Sequence, residues 1–320
     1  MSITIYHIYF IHKIRINIIQ LIYIEGDFMI FKGSGVALIT PFDEKNSINY
    51  KKLEHLLEFQ IKNSTDAIII CGTTGESATL SFDEKKALIK YTVEVVNKRI
   101  PVIAGTGSNN TEFALKLSEY AKQVNADALL LVTPYYNKCS NNGLYLHYKK
   151  IADNVDLPII VYNVPSRTGY NIDAETLKKL ATINNIIGIK EASSNISQIS
   201  EMFTKISNNF SIYSGNDDQI LPILSLGGAG VISVLANILP KQTHDLCYNF
   251  FNGNIEEARK IQLKYFDLIK KLFIEVNPEP IKEAMNMLGY NVGKCRLPLC
   301  ELSKSSKELL EKSLKNVNLL

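Results

Sequence analysis

A lysine at the end of an apolar run is the residue whose type and position most directly indicate chemistry. Lys190 closes the segment NIIGIK, which is otherwise almost entirely aliphatic. Apolar surroundings destabilise the charged form of an amine, so its neutral form becomes available as a nucleophile. Such an amine is suited to forming a Schiff base with a carbonyl compound. The ordinary alternative is a lysine that extends its charge to solvent, and the position alone leaves both open.

Two hydroxyl side chains could move protons around this amine. Tyr162, in the segment VYNVPSRTG, offers a phenol that could pass protons as a carbinolamine dehydrates. Its structural alternative is to fill the core, as aromatic residues often do. Thr73, in the segment GTTGE, could relay protons between that phenol and solvent or a neighbouring phenol.

Two other features could bind carboxylates. In residues 72–76 (GTTGE, the 72–76 loop), two glycines flank paired threonines, so backbone N–H groups could surround a small anion. Arg167 lies between Pro165 and Gly169, where a rigid turn could present its guanidinium to a second carboxylate. An ordinary surface ion pair is the alternative for this arginine. Together these features favour a small keto acid as ligand.

The elements that must position these residues form a repeating pattern. Near-continuous apolar runs are typical of parallel strands covered on both faces, and amphipathic segments separate them. Eight such units predict an α/β fold, a (β/α)8 TIM barrel, in which the carboxyl ends of the strands carry the chemistry. A doubly wound sheet is less consistent, because no G-x-G-x-x-G follows the first strand. The predicted strands are 35–42, 67–72, 101–107, 128–136, 158–165, 186–192, 210–216 and 230–237.

Three regions are predicted along the chain. Residues 29–253 form the barrel, with Ser81 and Asn110 as helix N-caps, and residues 254–320 form a C-terminal helical appendage. Residues 1–28 are predicted to be a non-native extension upstream of a start at Met29. The codons before Met29 can be written GAA GGA GAT TTT ATG, which contains AGGAG, as in a bacterial ribosome-binding site. A weak membrane-surface anchor is the alternative for this segment.

Composition narrows the class of protein. The net charge of +3, with acidic and basic residues interspersed, does not call for a nucleic-acid partner. The first 28 residues are interrupted by cations that disfavour a membrane span. Free thiols in a reducing cytoplasm are expected, since no C-x-x-C pair occurs among Cys71, Cys139, Cys247, Cys295 and Cys300. His55, His147 and His244 are expected on exposed helix faces, so no metal site is predicted.

The ordered motifs resemble those of the pyruvate-dependent class I aldolases typified by dihydrodipicolinate synthase. The likeness extends from Met29 to the C-terminus, and the ordered set is far more specific than any one motif. It is carried by GTTGESATL (72–80), IPVIAGTGSN (100–109), VTPYYNK (132–138), LPIIVYNVPSRTG (157–169), NIIGIKEAS (185–193), YSGND (213–217), GGAGVISVLAN (227–237) and NPEPIK (277–282).

The resemblance implies roles for individual residues. Lys190 would form the Schiff base with pyruvate, and Tyr162, Thr73 and Tyr136 would transfer protons. In the family, the tyrosine at the place of Tyr136 comes from a neighbouring subunit of a homotetramer built as a dimer of dimers. The other implied substrate-binding residues are Thr74 for the pyruvate carboxylate, and Gly215 and Ile232 through their main chain. No cofactor is implied, because the iminium itself acts as the electron sink.

Arg167 bears on which reaction is implied. The PSRTG sequence resembles that of the synthases, in which this arginine binds the carboxylate of L-aspartate 4-semialdehyde. The product would then be 4-hydroxy-tetrahydrodipicolinate, at the first committed step of diaminopimelate and lysine biosynthesis. The alternative is a related lyase or aldolase acting on a sugar acid, such as N-acetylneuraminate or a 2-keto-3-deoxy acid, although those relatives tend to lack the arginine.

One departure from the family concerns feedback control. Lysine-inhibited members use a histidine and an acidic residue where this sequence has Phe82, Lys85 and Phe113. An aromatic ring in place of a carboxylate removes the charge partner of the ligand ammonium, and Lys85 would add repulsion. The sequence therefore predicts weak or absent inhibition by lysine.

Overall fold

Eight parallel strands close into a barrel in chain order, as predicted. The computed structural model describes residues 29–320, and the predicted upstream segment 1–28 lies outside this range. Each strand pairs with the next, and the last returns to pair with the first. The strands are Gly33–Ala37 (β1), Ala67–Ile70 (β2), Val102–Gly105 (β3), Ala128–Val132 (β4), Ile159–Asn163 (β5), Ile186–Glu191 (β6), Ser211–Ser214 (β7) and Gly230–Ser233 (β8).

Helices follow the strands around the barrel. The two predicted N-caps are confirmed: Ser81 shares a reciprocal capping box with Glu84, and the Asn110 side chain accepts a hydrogen bond from Phe113 N–H. The barrel helices are Tyr50–Lys62 (α1), Phe82–Val96 (α2), Thr111–Gln123 (α3), Asn141–Ala152 (α4), Pro165–Thr168 (α5), Ala174–Leu180 (α6), Ile196–Lys205 (α7), Ile220–Ser225 (α8) and Pro240–Phe251 (α9).

Several predicted strands extend too far at their carboxyl ends. The first was predicted to reach residue 42 and the fourth residue 136, whereas β1 ends at Ala37 and β4 at Val132. After β1 the sequence misleads because the chain stays buried on leaving the sheet, as at Thr40 and Phe42; after β4, by contrast, Tyr135 and Tyr136 are exposed. An apolar run therefore marks burial at the barrel mouth as well as the strand itself.

The floor of the barrel is closed by Phe31, which precedes β1. Its ring stacks on Tyr213 with centroids 4.4 Å apart, and the Tyr213 hydroxyl donates to Phe31 O at 2.7 Å. Phe31 belongs to an apolar cluster formed largely by inward-facing strand residues, among them Ile69, Ile103 and Ile160. The interior is thus packed from below, and the open end lies at the carboxyl ends of the strands.

Helices continue after the barrel, and the part of the chain that the structure describes has no strand beyond β8. Leu268, Ile281 and Leu310 from this region belong to the same apolar cluster as the outer core of the barrel. The C-terminal helices are thus packed onto the barrel and share its core. They are Ile255–Lys264 (α10), Phe266–Lys271 (α11), Glu279–Met287 (α12) and Lys304–Asn316 (α13).

None of the helices within residues 29–320 combines the length and the apolar character needed to cross a membrane.

The prediction that three histidines lie on exposed helix faces is correct for His55 and wrong for His147. His147 is buried because it shares one face of α4 with Leu144, Tyr148 and Ile151. Its Nδ1 lies 2.9 Å from the Thr111 hydroxyl, and its Nε2 is buried without a hydrogen-bond partner. Burial lowers the pKa of His147 to about 4.

His244, on α9, is also less exposed than predicted. Its Nδ1 lies 2.9 Å from Asp66 Oδ2, and both side chains are about a quarter exposed. The hydrogen bond with Asp66 raises the pKa of His244, and partial burial opposes this shift. The two histidines are therefore perturbed in opposite directions.

We expect His147→Leu to reduce the loss of unfolding free energy that accompanies acidification. Between the ordinary histidine pKa of 6.5 and the folded value of about 4, the unfolded chain binds more protons, so stability falls as pH decreases through this window. The unfolding free energy of the variant minus that of the parent should therefore increase by about 2 kcal/mol when the pH is lowered from about 7.5 to about 5. Urea unfolding at the two pH values measures this change.

The matched variant is His244→Gln. Because the folded pKa of His244 is raised, its stabilisation is fully present below the unfolded pKa and is lost as pH rises through the folded pKa. His244→Gln should therefore lose more stability at the lower pH than at the higher one. Parallel pH profiles for the parent and His147→Leu would contradict the assignment of a neutral buried imidazole.

Candidate active site

The Lys190 amine lies inside the barrel, against Tyr162. Lys190 is 5% exposed near the carboxyl end of β6, in register with Tyr162 on β5 and Tyr213 on β7. Its Nζ is 4.3 Å from the centroid of the Tyr162 ring. Burial lowers the pKa of Lys190 to about 7; the Asp217 carboxylate raises it and the Arg167 guanidinium lowers it further. A substantial fraction of this amine is therefore neutral at neutral pH.

Gly215 leaves the space that the lysine side chain occupies. A Cβ at Gly215 would lie 3.1 Å from Lys190 Cε and 2.7 Å from Ala192 Cβ. The Gly215 N–H donates to Glu191 O at 2.7 Å, so the main chain passes close to the end of β6. Gly215 thus lies beside the amine, where the sequence predicts a pocket residue.

Tyr162 and Thr73 are brought together as proton-transfer groups require. Tyr162 is 6% exposed and in contact with the amine. Burial raises the pKa of its phenol, whereas the charge of Arg167 and a hydrogen bond with the Thr73 side chain lower it. Lys190, Tyr162 and Thr73 therefore lie next to one another, with the amine over the face of the phenol ring.

The 72–76 loop is a series of tight turns. Gly75 N–H donates to Gly72 O at 3.1 Å, and Glu76 N–H donates to Thr73 O at 3.0 Å. The Thr40 hydroxyl, beyond the end of β1, donates to Gly75 O at 2.7 Å. A Cβ at Gly75 would lie 3.0 Å from Leu38 O, so a side chain there would crowd the neighbouring main chain. The second glycine is thus explained by close packing against the residues that follow β1.

Thr74 and Arg167 are linked through one residue of the C-terminal region. The Asn277 side-chain amide donates to Thr74 Oγ1 at 3.0 Å, and Asn277 O accepts from the Arg167 guanidinium at 3.0 Å. Arg167 lies on the short helix α5, which ends at Gly169 with a φ of 65°. Its guanidinium donates to a main-chain carbonyl and does not form the surface ion pair that was the alternative for this arginine.

These groups surround a cavity of about 280 Å³ at the barrel mouth. Of the predicted site residues, Thr73, Tyr162 and Arg167 line it directly. Lys190 and Thr74 are not on its wall but contact lining residues, namely Tyr162 and Asn277. The other lining residues include Cys71, Gly72, Glu76, Ser77, Ala78, Thr79, Gly105, Gly107, Leu130, Val132, Tyr135, Val164, Thr168, Pro278, Pro298 and Leu299.

Ile232 and Tyr136 occupy contrasting positions. Ile232, on β8, is fully buried in the apolar cluster of the barrel interior. Tyr136 is 93% exposed, has a φ of 70°, and does not line the cavity of its own chain, whereas Tyr135 does. The family-based expectation that Tyr136 is contributed to a neighbouring subunit stays a prediction.

Asn277 is the site residue that the sequence did not single out. Its segment, NPEPIK, carried part of the resemblance, but no role was assigned to any residue in it. Its Oδ1 is buried without a hydrogen-bond partner, and its side chain is 5% exposed. An asparagine before a proline, far from the barrel strands in sequence, carries no periodic signal; only the motif match pointed to this segment.

The residues at the predicted lysine-inhibition positions form an aromatic contact. The Phe82 and Phe113 rings are 5.0 Å apart and edge-to-face, and Lys85 Nζ lies 5.1 Å from the Phe113 ring. Lys85 is 7% exposed, and burial lowers its pKa. Its amine is therefore packed against an aromatic face rather than directed freely into solvent.

The arrangement provides a nucleophilic amine, a phenol and a hydroxyl for proton transfer, and an arginine for an anion. Within residues 29–320, no group of three or more histidine, cysteine, aspartate or glutamate residues is placed to hold a metal ion. A buried amine with a lowered pKa beside a phenol is suited to covalent carbonyl chemistry by the protein's own side chains.

Comparison with known proteins gives one consistent family. The Dihydrodipicolinate synthetase family matches residues 30–317. The chain is 58% identical over 285 residues to a 4-hydroxy-tetrahydrodipicolinate synthase of Clostridium perfringens, covering 89% of this chain and 98% of the relative. It is 57% identical over 291 residues to the synthase of that name from Acetivibrio thermocellus, covering 91% and 99%.

A solved structure agrees with these relatives. The crystal structure of dihydrodipicolinate synthase from Aquifex aeolicus superimposes with a TM-score of 0.88 at 46% identity, covering 90% of this chain and 99% of that one. The match therefore extends over the barrel and the C-terminal helices alike. The chain belongs to the Dihydrodipicolinate synthetase family.

Proposed function

We propose that the protein condenses pyruvate with L-aspartate 4-semialdehyde to give 4-hydroxy-tetrahydrodipicolinate, the activity for which its curated relatives are named. The observation that carries the chemistry is the buried Lys190 amine, whose pKa is lowered to about 7 beside the Tyr162 phenol. The reaction is a lyase-type Schiff-base condensation at the first committed step of diaminopimelate and lysine biosynthesis.

The first stage captures pyruvate. The neutral Lys190 amine attacks the keto carbon, and the resulting carbinolamine loses water to give an iminium. Tyr162 supplies the proton that the leaving hydroxyl needs, and Thr73 connects this phenol to the next proton carrier. Thr74 and the main-chain N–H groups of Thr73 and Thr74 bind the pyruvate carboxylate, since those of Gly75 and Glu76 already donate to Gly72 O and Thr73 O.

The second stage forms the carbon–carbon bond. Loss of a methyl proton converts the iminium to an enamine, whose methylene carbon adds to the aldehyde carbon of the semialdehyde. Arg167 binds the carboxylate of this second substrate. The substrate amine then attacks the imine carbon, closes the ring and releases Lys190, so the net by-product is one water. The main chain at Gly215 and Ile232 borders the reacting atoms.

The same proposal extends to the oligomeric assembly of the protein and to its cellular compartment. Tyr136 completes the proton relay of a neighbouring chain, which fits its 93% exposure, in a homotetramer built as a dimer of dimers. A monomer in sedimentation velocity experiments would contradict this assembly.

We place the protein in the cytoplasm, where its free cysteines remain reduced. Residues 29–253 act as the catalytic barrel and residues 254–320 as the helical region attached to it.

Lys190→Ala should abolish covalent capture of pyruvate. Borohydride reduction in the presence of pyruvate should add the mass of one reduced adduct to the parent chain and none to the variant. Turnover of the two substrates should fall by about 10³-fold or more, because the covalent route is lost. Intact-mass spectrometry and a coupled assay provide the two measurements.

The control for this experiment is a second buried lysine. Lys85→Met removes an amine whose pKa is also lowered by burial but which lies against Phe113. This variant should trap pyruvate as the parent does. A reduced adduct on Lys190→Ala would show that the Schiff base forms elsewhere and would refute the proposed mechanism.

Arg167→Ala should separate the two substrates. Loss of the charge-assisted hydrogen bonds should lower kcat/KM for the semialdehyde by about a hundredfold, while saturating pyruvate still gives full borohydride trapping. Arg167→Lys should recover only part of the loss, because an ammonium lacks the bidentate geometry. Equal loss of trapping and of semialdehyde turnover would contradict the assignment.

L-Lysine should inhibit the protein weakly or not at all. Phe82 and Phe113 pack together where a carboxylate would be needed to bind the ligand ammonium, and Lys85 is also cationic there. The inhibition constant in the coupled assay tests this expectation. Phe113→Glu restores a carboxylate and should increase sensitivity; potent inhibition of the parent would show that the reasoning is wrong.

A further inference from the structure

We propose that Lys282 and Glu76 are positioning residues that hold the 72–76 loop in its keto-acid-binding conformation from the C-terminal side. The pair, called here the Lys282–Glu76 anchor, joins helix α12 to the loop through a 2.9 Å contact between Nζ and Oε1. The inference rests on the proposed function and adds residues that act through the loop: Glu76 borders the cavity, but both of its carboxylate oxygens are engaged by the C-terminal region.

Lys282 connects three parts of the chain. Its Nζ donates to Glu76 Oε1 at 2.9 Å, to Thr40 O at 3.2 Å and to Lys294 O at 2.7 Å. These contacts use all three donors of an ammonium group. The residue is 1% exposed, and Nζ also lies 4.4 Å from the centroid of the Phe42 ring. Lys282 therefore fixes the chain after β1, the 72–76 loop and the segment after α12 relative to one another.

Glu76 is held at both carboxylate oxygens. Oε1 accepts from Lys282, and Oε2 accepts from the Arg296 main-chain N–H at 2.8 Å. Glu76 itself adopts left-handed backbone geometry, with a φ of 57° and a ψ of 36°, which is unfavourable for a residue with a Cβ. The two contacts from the C-terminal region thus hold a residue whose backbone conformation is intrinsically disfavoured.

The anchor is coupled to one threonine of the loop, Thr73, and to Thr40, which follows β1. Glu76 N–H donates to Thr73 O. The Thr40 hydroxyl donates to Gly75 O, and the main-chain carbonyl of Thr40 accepts from Lys282. This closed circuit of hydrogen bonds fixes the loop at the end opposite to Gly72. Displacement of a substrate-positioning group by about 1 Å can cost about 10²-fold in rate, so the circuit bears on pyruvate binding.

Stability alone is a weak reason for such a pair. A buried ion pair is often no better for stability than well-packed apolar residues of similar volume, whereas removal of one partner leaves an uncompensated charge. Lys282 and Glu76 side chains are 2% and 0% exposed, so this reasoning applies to both. Replacement of the whole pair by apolar side chains therefore separates positioning from folding.

The decisive variant is Glu76→Leu combined with Lys282→Met. We expect it to unfold at the same urea midpoint as the parent. At saturating pyruvate, all of its chains should carry the reduced adduct, as in the parent. The pyruvate concentration that gives half-maximal borohydride trapping should rise at least tenfold, because the loop no longer holds its carboxylate-binding groups in place. A defect confined to folding would lower the midpoint without changing this concentration in the folded fraction.

The matched control removes an ion pair away from the loop. Glu58→Gln with Arg99→Gln deletes a partly exposed pair between α1 and the end of α2, and it should leave half-maximal trapping unchanged. If the apolar double variant does not fold, Glu76→Gln provides the test. It keeps the side-chain size, but its amide NH₂ would face a donor, either Lys282 or Arg296 N–H, so it should also weaken pyruvate capture.

The outcomes are distinguishable from failure of the proposed function. Absence of a reduced pyruvate adduct on the parent protein would refute the proposed function itself. The positioning role would be overturned if the parent is trapped and a folded variant, either the double variant or Glu76→Gln, reaches half-maximal trapping at the same pyruvate concentration as the parent. A tenfold or larger shift in either folded variant, with the control unchanged, would support it.

Discussion

The burial of one amine is the constraint on which the rest of the site depends. Lys190 loses access to water because β6 is enclosed by a closed sheet, and its pKa falls to about 7 for that reason. Three neighbouring features are compatible with a neutral amine: a phenol in contact with it, a glycine that leaves it room, and an arginine that further disfavours its charge. Asp217 opposes this trend and keeps the pKa from falling further.

The site is divided between two parts of the chain that share one core. The barrel supplies the buried amine and the phenol, in register on adjacent strands. The C-terminal region supplies Asn277, which connects Thr74 with Arg167, and Lys282, which holds Glu76. The helices after the barrel are thus an integral wall of the cavity, although the sequence presents them as an appendage.

Much of this architecture can be predicted from sequence because it is periodic or local. Apolar runs locate all eight strands, and Ser81 and Asn110 mark helix starts through short-range hydrogen bonds. Contacts between distant segments leave no such pattern: Asn277 and Thr74 are 203 residues apart. His147 was misjudged for a related reason, since its polar neighbours conceal the helix face that it shares with Leu144 and Tyr148.

The floor of the barrel has a practical consequence for anyone reshaping this protein. Phe31 seals the end opposite the chemistry, through its stacking on Tyr213 and the hydrogen bond to its carbonyl. Trimming the chain beyond that aromatic would let water into the lower layer of side chains, directly beneath the catalytic layer. Affinity tags and fusion partners therefore belong upstream of Met29, where their attachment leaves this seal intact.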